Sequence, residues 1–372
     1  MNRIPHIENQ DYLNKQIITY LGNKRALLYF IEEGLAIIKK KLDKKKLDIF
    51  DLFSGSGIVS RFFKKHANRL IANDLEKYSE VINRCYLTNF SQFNKNAFVE
   101  IYNSIIFELE NKSLKKGIIT ELYAPEDDNN ITLGERVFYT RRNAMYLDTA
   151  RQLIDNVPAE YKNFLLAPLL SEASIHTNTS GVFKGFYKNS KTGLGKFGGD
   201  KSNALPRILS DIHIPFPVFS NFECDVEIYR HNSNEIVKHV NEVDLAYIDP
   251  PYNQHPYGSN YFMLNLLTDY LKPKKISNVS GIPADWNRSS YNKNRTAITV
   301  FKDLIGNIKA KYLLISFNSE GFISMEEMIS LLKEIGKIEV LETHYSTFKG
   351  SRNLRNRKIH VKEYLYLVDK KY

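Results

Sequence analysis

The sequence predicts an α/β protein: a doubly wound, Rossmann-like sheet of seven strands carrying an inserted helical and hairpin region. Three observations lead there. Residues 47–65 read as strand, glycine turn and helix start. Apolar runs of strand length recur on both sides of a long middle stretch of different texture. The last two runs alternate apolar and polar residues with no helix between them, which suits an antiparallel hairpin at the sheet edge.

The first strand covers residues 47–53 and runs into Asp51-Leu52-Phe53-Ser54-Gly55-Ser56-Gly57. Glycine there lets the backbone approach a ligand closely. Position 60 is Ser, so the turn is not the GxGxxG of a pyrophosphate cradle. The second strand, 69–74, ends in Asp74, where an acid is placed to accept from ribose hydroxyls. Together they point to a nucleoside cofactor lacking phosphates. Further strands are expected at 226–229, 245–249, 312–317, 338–343 and 363–368. Between Asn89 and Phe222 the pattern changes: 91–115 and 141–175 read as helical and 125–134 as a polar loop. From His176 to Gly199, Lys184, Lys188, Lys191 and Lys196 alternate with Phe183, Phe186, Tyr187 and Phe197, a short, glycine-bulged hairpin. The expected division is therefore a catalytic domain made of 1–90 and 221–372, with 91–220 inserted.

The apolar run 245–248 ends in Asp249-Pro250-Pro251-Tyr252. Strand followed by Pro-Pro is also an ordinary way to leave a sheet. Chemically, the tetrad suits a planar exocyclic amine: Asp249 accepts a hydrogen bond, the prolines free the Pro250 carbonyl, and Tyr252 offers a face for stacking.

The net charge of +10 over 372 residues favours a polyanionic partner. Two cysteines are too few for a disulfide framework or a thiolate metal site, and the nine histidines have no ligand-like pairing, so no metal is expected. No secretory signal or membrane-length apolar run is visible, which makes a reduced cytoplasmic setting the default.

The order of these blocks resembles the Dam-like (alpha-group) DNA adenine-N6 methyltransferases, with modification methylases of the FokI type most alike. Tyr20-Leu21-Gly22-Asn23-Lys24 precedes the glycine turn, an insert follows, and the DPPY tetrad comes next. The strings HTNTSGVFKGFY at 176–187, NQHPYGSNYFMLNL at 253–266 and FKGSRNL at 348–354 also match that branch. The resemblance implies methyl transfer from S-adenosylmethionine to N6 of a flipped-out adenine in double-stranded DNA. It gives catalysis to Asp249, Pro250, Pro251 and Tyr252. It gives the cofactor to Tyr20, Gly22, Lys24, Asp51, Phe53, Gly55, Gly57, Asp74, Asn232 and Asp249, with Lys24 pairing the methionine carboxylate. Asn232 stands where the family usually has an acid. DNA contacts are expected from Lys184, Tyr187, Lys188, Lys191 and Lys196 of the hairpin, from Arg288 in the loop 281–295, and from Lys349, Arg352 and Arg355 before the last strand. A monomer working beside a separately encoded restriction endonuclease completes the expectation. The rivals are methylation of N4 of cytosine or of RNA, and a catalytically silent DNA-binding subunit.

Overall fold

The computed structural model describes residues 7–199, 203–346 and 360–370. Its sheet contains β1 (Leu47–Asp51), β2 (Ala67–Asn73), β3 (Asp225–Tyr229), β4 (Val243–Ile248), β5 (Ala310–Asn318), β6 (Gly336–Ser346) and β7 (His360–Lys370). Their order is β3-β2-β1-β4-β5-β7-β6. The first five pair in parallel, while β7 runs antiparallel to both β5 and β6. All seven expected strands are present. The expected edge hairpin is β6–β7, with β7 tucked inside and β6 forming the edge.

The chain winds outward from β1 to β3, then reverses to β4 and β5. A doubly wound sheet opens its ligand crevice at such a reversal, beyond the carboxyl ends of the two flanking strands. The glycine turn leaves β1 there and Asp249 follows β4. β4 is buried along its whole length, as its continuous apolar run requires of a strand covered on both faces.

Side chains alternate between the two faces. Ile49, Leu245, Tyr247, Leu314 and Leu365 pack under the helices Leu28–Leu42 and Ile58–Lys64. Phe50, Ala246, Ile248, Leu313 and Tyr366 pack under Asn294–Asn307 and Met325–Lys333. The helix Leu28–Leu42 lies close on the sheet because residue 34 is glycine: a Cβ there would stand 2.8 Å from methyl carbons of Leu314 and Leu365. That close seat brings the preceding turn, Lys24–Leu27, against the carboxyl end of β4.

The region expected to be helical at 141–175 is two helices, Arg141–Asp155 and Ala159–Ile175. Pro158 divides them, since the residue before a proline is driven out of the helical region. The insert shares one apolar cluster with Tyr12, Ile17, Tyr78, Ile82 and Phe262 of the flanking chain. The hairpin is short, with one bridge between Lys188 and Gly195. Phe183, expected among its surface aromatics, is instead buried in that cluster.

Candidate active site

The floor begins at the glycine turn. Gly55 and Gly57 have φ of 51° and 73°, left-handed values that side-chain-bearing residues rarely adopt. A Cβ on Gly55 would meet the Tyr20 ring at 2.9 Å, and one on Gly57 would meet Asn83 Oδ1 at 2.9 Å. Gly55 N–H donates to Asp74 Oδ2 at 2.8 Å and Glu76 N–H donates to Oδ1 at 2.9 Å. These bonds fix the second-strand acid against the turn. Burial raises the proton affinity of Asp74, and the backbone donors oppose it.

A cavity of about 330 Å³ opens over this floor, lined among others by Tyr20, Gly22, Lys24, Phe53, Gly55, Asp74, Asn232 and Asp249. Two cofactor expectations fall elsewhere. Asp51 and Gly57 are not among the lining residues. Asp51 is fully buried behind the turn, where Ser60 donates to its Oδ2 at 2.6 Å. Burial pushes its carboxyl up to about 7, partly opposed by that bond. Gly57 instead starts the helix Ile58–Lys64.

At the end of β4, Asp249 lies 3.2 Å from the Lys24 ammonium. Lys24 is also 2.7 Å from Glu363 Oε1, which accepts from Ser316 Oγ at 2.9 Å. Burial acts to lower the lysine's pKa, but the carboxylates of Asp249 and Glu363 overcome it and hold the ammonium well above its usual range. Burial pushes Asp249 up to about 6; Lys24 opposes this and Glu363 adds to it. Lys24, expected to meet a cofactor carboxylate, is thus already held by two protein carboxylates. An ammonium has a third N–H donor, and Lys24 still lines the cavity. The Tyr252 ring packs on Phe317 at 5.4 Å, and its carbonyl accepts from Phe322 N–H at 2.9 Å.

The Tyr20–Lys24 segment is fastened to the chain just after the tetrad. Tyr20 stacks on both Tyr257 and Tyr261, each at 4.9 Å. Leu21 N–H donates to the Tyr261 hydroxyl at 2.7 Å, and the Tyr257 hydroxyl donates to Leu21 O at 3.1 Å. Sequence reasoning does not find either clamp, although both rings lie in the string NQHPYGSNYFMLNL; aromatic rings four apart on a helical stretch are the available signal.

The loop after β4 closes the cavity. Asn287 donates to Glu76 Oε2 at 3.1 Å, as Asn265 does at 2.5 Å. Burial pushes the Glu76 carboxyl up to about 7, with the Asn265 bond opposing. A Cβ on Gly258 would strike Asn287 O at 2.3 Å, so the loop lies directly on that backbone. Tyr291 donates to Asn234 Oδ1 at 2.8 Å, and Asn234 donates to Val300 O and Asp303 Oδ2, both at 2.7 Å. Trp286 is only half-buried and carries Arg288 over its ring at 4.4 Å. The loop's buried anchor is therefore Tyr291, not the indole. Asn232 does line the cavity, with its Oδ1 accepting from Asn234 N–H at 3.0 Å. An acid does face this wall, but it is Asp303.

Of the expected DNA contacts, Lys184 and Lys191 are exposed, while Tyr187, Lys188 and Lys196 are half-buried. Lys188 sits over the Phe186 ring at 4.8 Å. Arg288 is exposed at the cavity mouth. Lys349, Arg352 and Arg355 lie outside the described residues. Among the described residues no cluster suits a metal ion, and no helix is long and apolar enough to cross a membrane.

Comparison with known proteins finds relatives along nearly the whole chain. The chain is similar to type II methyltransferase M.NlaIII of Neisseria lactamica, 30% identical over 367 residues, 95% of this chain and 99% of that protein. It is 32% identical over 359 residues to M.CviAII of Paramecium bursaria Chlorella virus 1, covering 94% and 98%. M.FokI of Planomicrobium okeanokoites is 26% identical over 366 residues, which are 94% of this chain but 52% of that longer protein. Residues 20–331 match a family as a whole, and the chain belongs to it: the D12 class N6 adenine-specific DNA methyltransferases.

Proposed function

We propose that the chain methylates N6 of an adenine extruded from double-stranded DNA, as the modification enzyme of a type II restriction–modification system. The observation that carries this is Asp249 opening onto the same cavity as Asp74 and the glycine turn. The methyltransferase family implies S-adenosylmethionine as donor, and bound there it supplies an activated methyl group that leaves without a metal.

The lining suits such a nucleoside. Asp74 is placed for ribose hydroxyls, Phe53 offers an aromatic wall, and Tyr20 and the Gly55 backbone leave room for a close approach. The lining cations are Lys24 and Arg288 only, and Lys24 is engaged by carboxylates, so no phosphate cradle is present to favour a dinucleotide. Lys24, through its free N–H, and Gly22 meet the methionine end.

Asp249 and the Pro250 carbonyl accept hydrogen bonds from the adenine amine. They draw its lone pair out of conjugation as positive charge grows on N6. Tyr252 stacks on the base. Lys24 keeps Asp249 ionised and oriented. Two tightly placed reactants account for much of the rate. Lys184, Tyr187, Lys188, Lys191, Lys196 and Arg288 contact the duplex around the extruded nucleotide, and the insert is the target-recognition region. The enzyme works as a monomer, and its cognate endonuclease is a separate chain.

The test is transfer of labelled methyl from S-adenosylmethionine to unmethylated duplex DNA, with the product nucleoside identified. Wild type is expected to yield N6-methyladenine. Asp249→Ala is expected to lose at least about a hundredfold in kcat, the scale of removing one preorganised group that stabilises developing charge. N4-methylcytosine as product, or transfer unaffected by Asp249→Ala, overturns the reading.

A further inference from the structure

Glu363 reaches the catalytic end of the sheet because β7 pairs with β5, which sets residue 363 opposite Asn318. Its Oε1 accepts from Lys24 at 2.7 Å and from Ser316 at 2.9 Å. Two donors converging on one oxygen is the arrangement an ionised carboxylate takes. Glu363 and Lys24 are each 3% exposed, so water screens them little. Lys24 alone would neutralise Asp249. A second buried carboxylate beside the same ammonium is costly unless something else offsets it. Among the described residues no other lysine or arginine pairs with either carboxylate.

We propose that Glu363 sets the charge of the catalytic floor: two carboxylates around one ammonium leave one net negative charge, which favours the cationic methyl donor over its uncharged demethylated product. The inference rests on the reading of the cavity given above. The donor's sulfonium bears one positive charge. As the N–C bond forms and the S–C bond breaks, that charge passes from sulfur to N6, and the amine proton then leaves to Asp249 or water. The negative floor complements the charge before and during transfer and loses its counterpart once the neutral thioether remains. It therefore favours donor and transition state over product. Glu363 acts through Lys24 and is a positioning residue.

The test is calorimetric titration of wild type and Glu363→Gln with S-adenosylmethionine and, separately, S-adenosylhomocysteine. Glutamine keeps the shape and an acceptor toward Lys24 and Ser316 while removing the charge. The preference for the sulfonium form is expected to fall on the order of tenfold, the scale of one nearby charge in a partly buried site. The acid limb of kcat is expected to move to lower pH, since the anion that raises Asp249 is gone. Glu363→Asp retains the charge, so its affinity ratio is expected to stay at the wild-type value while kcat drops. A folded Glu363→Gln that binds both ligands with the wild-type ratio overturns the proposal. If Glu363→Gln does not fold, Glu363→Ala decides in its place: a wild-type ratio in the folded variant overturns the proposal, and a ratio lowered on the order of tenfold supports it. Failure of the underlying reading looks different, because then wild type binds neither ligand, or Asp249→Ala transfers methyl as wild type does.

Discussion

A Cβ on Gly55 would lie 2.9 Å from the Tyr20 ring, whereas Gly185 and Gly193 in the hairpin have no atom within 4 Å of the same position. Both segments carry glycines beside a proposed binding surface. In the turn, glycine is required twice, by a left-handed φ and by the ring packed on it. At Gly185 and Gly193, toward the hairpin tip, the space is open to solvent, although Gly195 at its base packs on Val137, where a Cβ would lie 2.4 Å from a methyl carbon. One segment is a cradle fixed by its neighbours; the tip of the other is a surface open to a partner from outside the chain.

Gly55→Ala attacks this difference most directly. The alanine must hold a left-handed φ, and its Cβ pushes the Tyr20 ring, which itself stacks on both Tyr257 and Tyr261. We expect a loss of roughly 1–2 kcal/mol in stability from the backbone strain. Because the ring and turn line the cavity, cofactor affinity is expected to fall at least about tenfold, a further 1.4 kcal/mol or more. Gly185→Ala, without strain or collision, is expected to change stability by less than about 0.5 kcal/mol. Chemical denaturation and calorimetric titration of the two variants measure both. If Gly55→Ala binds cofactor as wild type does, the turn is not the cradle.

The carboxyl behind the turn gives a second effect, on stability alone. Burial raises Asp51 from 3.8 to about 7 in the folded protein. Below pH 3.8 the group is protonated folded and unfolded alike and contributes nothing. As pH rises from there to 7, the unfolded chain ionises while the folded chain holds its proton, so this group progressively lowers stability. Above pH 7 the penalty is complete and of the order of a few kcal/mol. Asp51→Asn removes the titration and keeps an acceptor for Ser60. It is expected to be more stable than wild type at pH 8, with the gain disappearing toward pH 4. Thermal melts of both proteins across that range check it. A constant difference at all pH values means that Asp51 does not titrate as described.

The same contrast explains what could be read in the sequence. β4 and β5 are covered on both faces and carry the apolar runs 245–248 and 312–315, while β6 alternates because it forms the edge of the sheet; β7, lying inside it, is buried from 363 to 368. The glycine turn, Asp74 and the DPPY tetrad are local strings whose chemistry lies in adjacent residues. In the sequence Glu363 is only part of a strand: its proposed role depends on β7 pairing with β5, a partnership distant in sequence. Asp303 and Tyr291 likewise acquire meaning only once a helix and a loop are folded over the end of β3. Trp286 is the only tryptophan in the sequence, yet Tyr291 has the buried hydroxyl with a partner. Phe183 looked like a surface ring in a basic hairpin, but its position next to the backbone of Asn260, whose carbonyl accepts from its N–H at 2.7 Å, holds it in the core.

The hairpin supplies the smallest effect and the one that most sharpens the comparison. Lys184 and Lys191 are exposed, so their replacement by alanine has little to disturb in the folded protein. If they neutralise phosphates, each loss releases one fewer set of counterions, and the slope of log affinity against log salt is expected to shrink by about 1 per lysine. KM for DNA is then expected to rise several-fold at physiological salt. The affinity for S-adenosylmethionine stays unchanged, because neither residue lines the cavity. The opposite pattern of Gly55→Ala, with cofactor binding lost and the salt slope intact, makes the pair of variants a separation of cradle from DNA surface. An unaltered salt slope in Lys184→Ala/Lys191→Ala would make the hairpin a solvated loop and move the duplex to Arg288 and the loop that roofs the cavity.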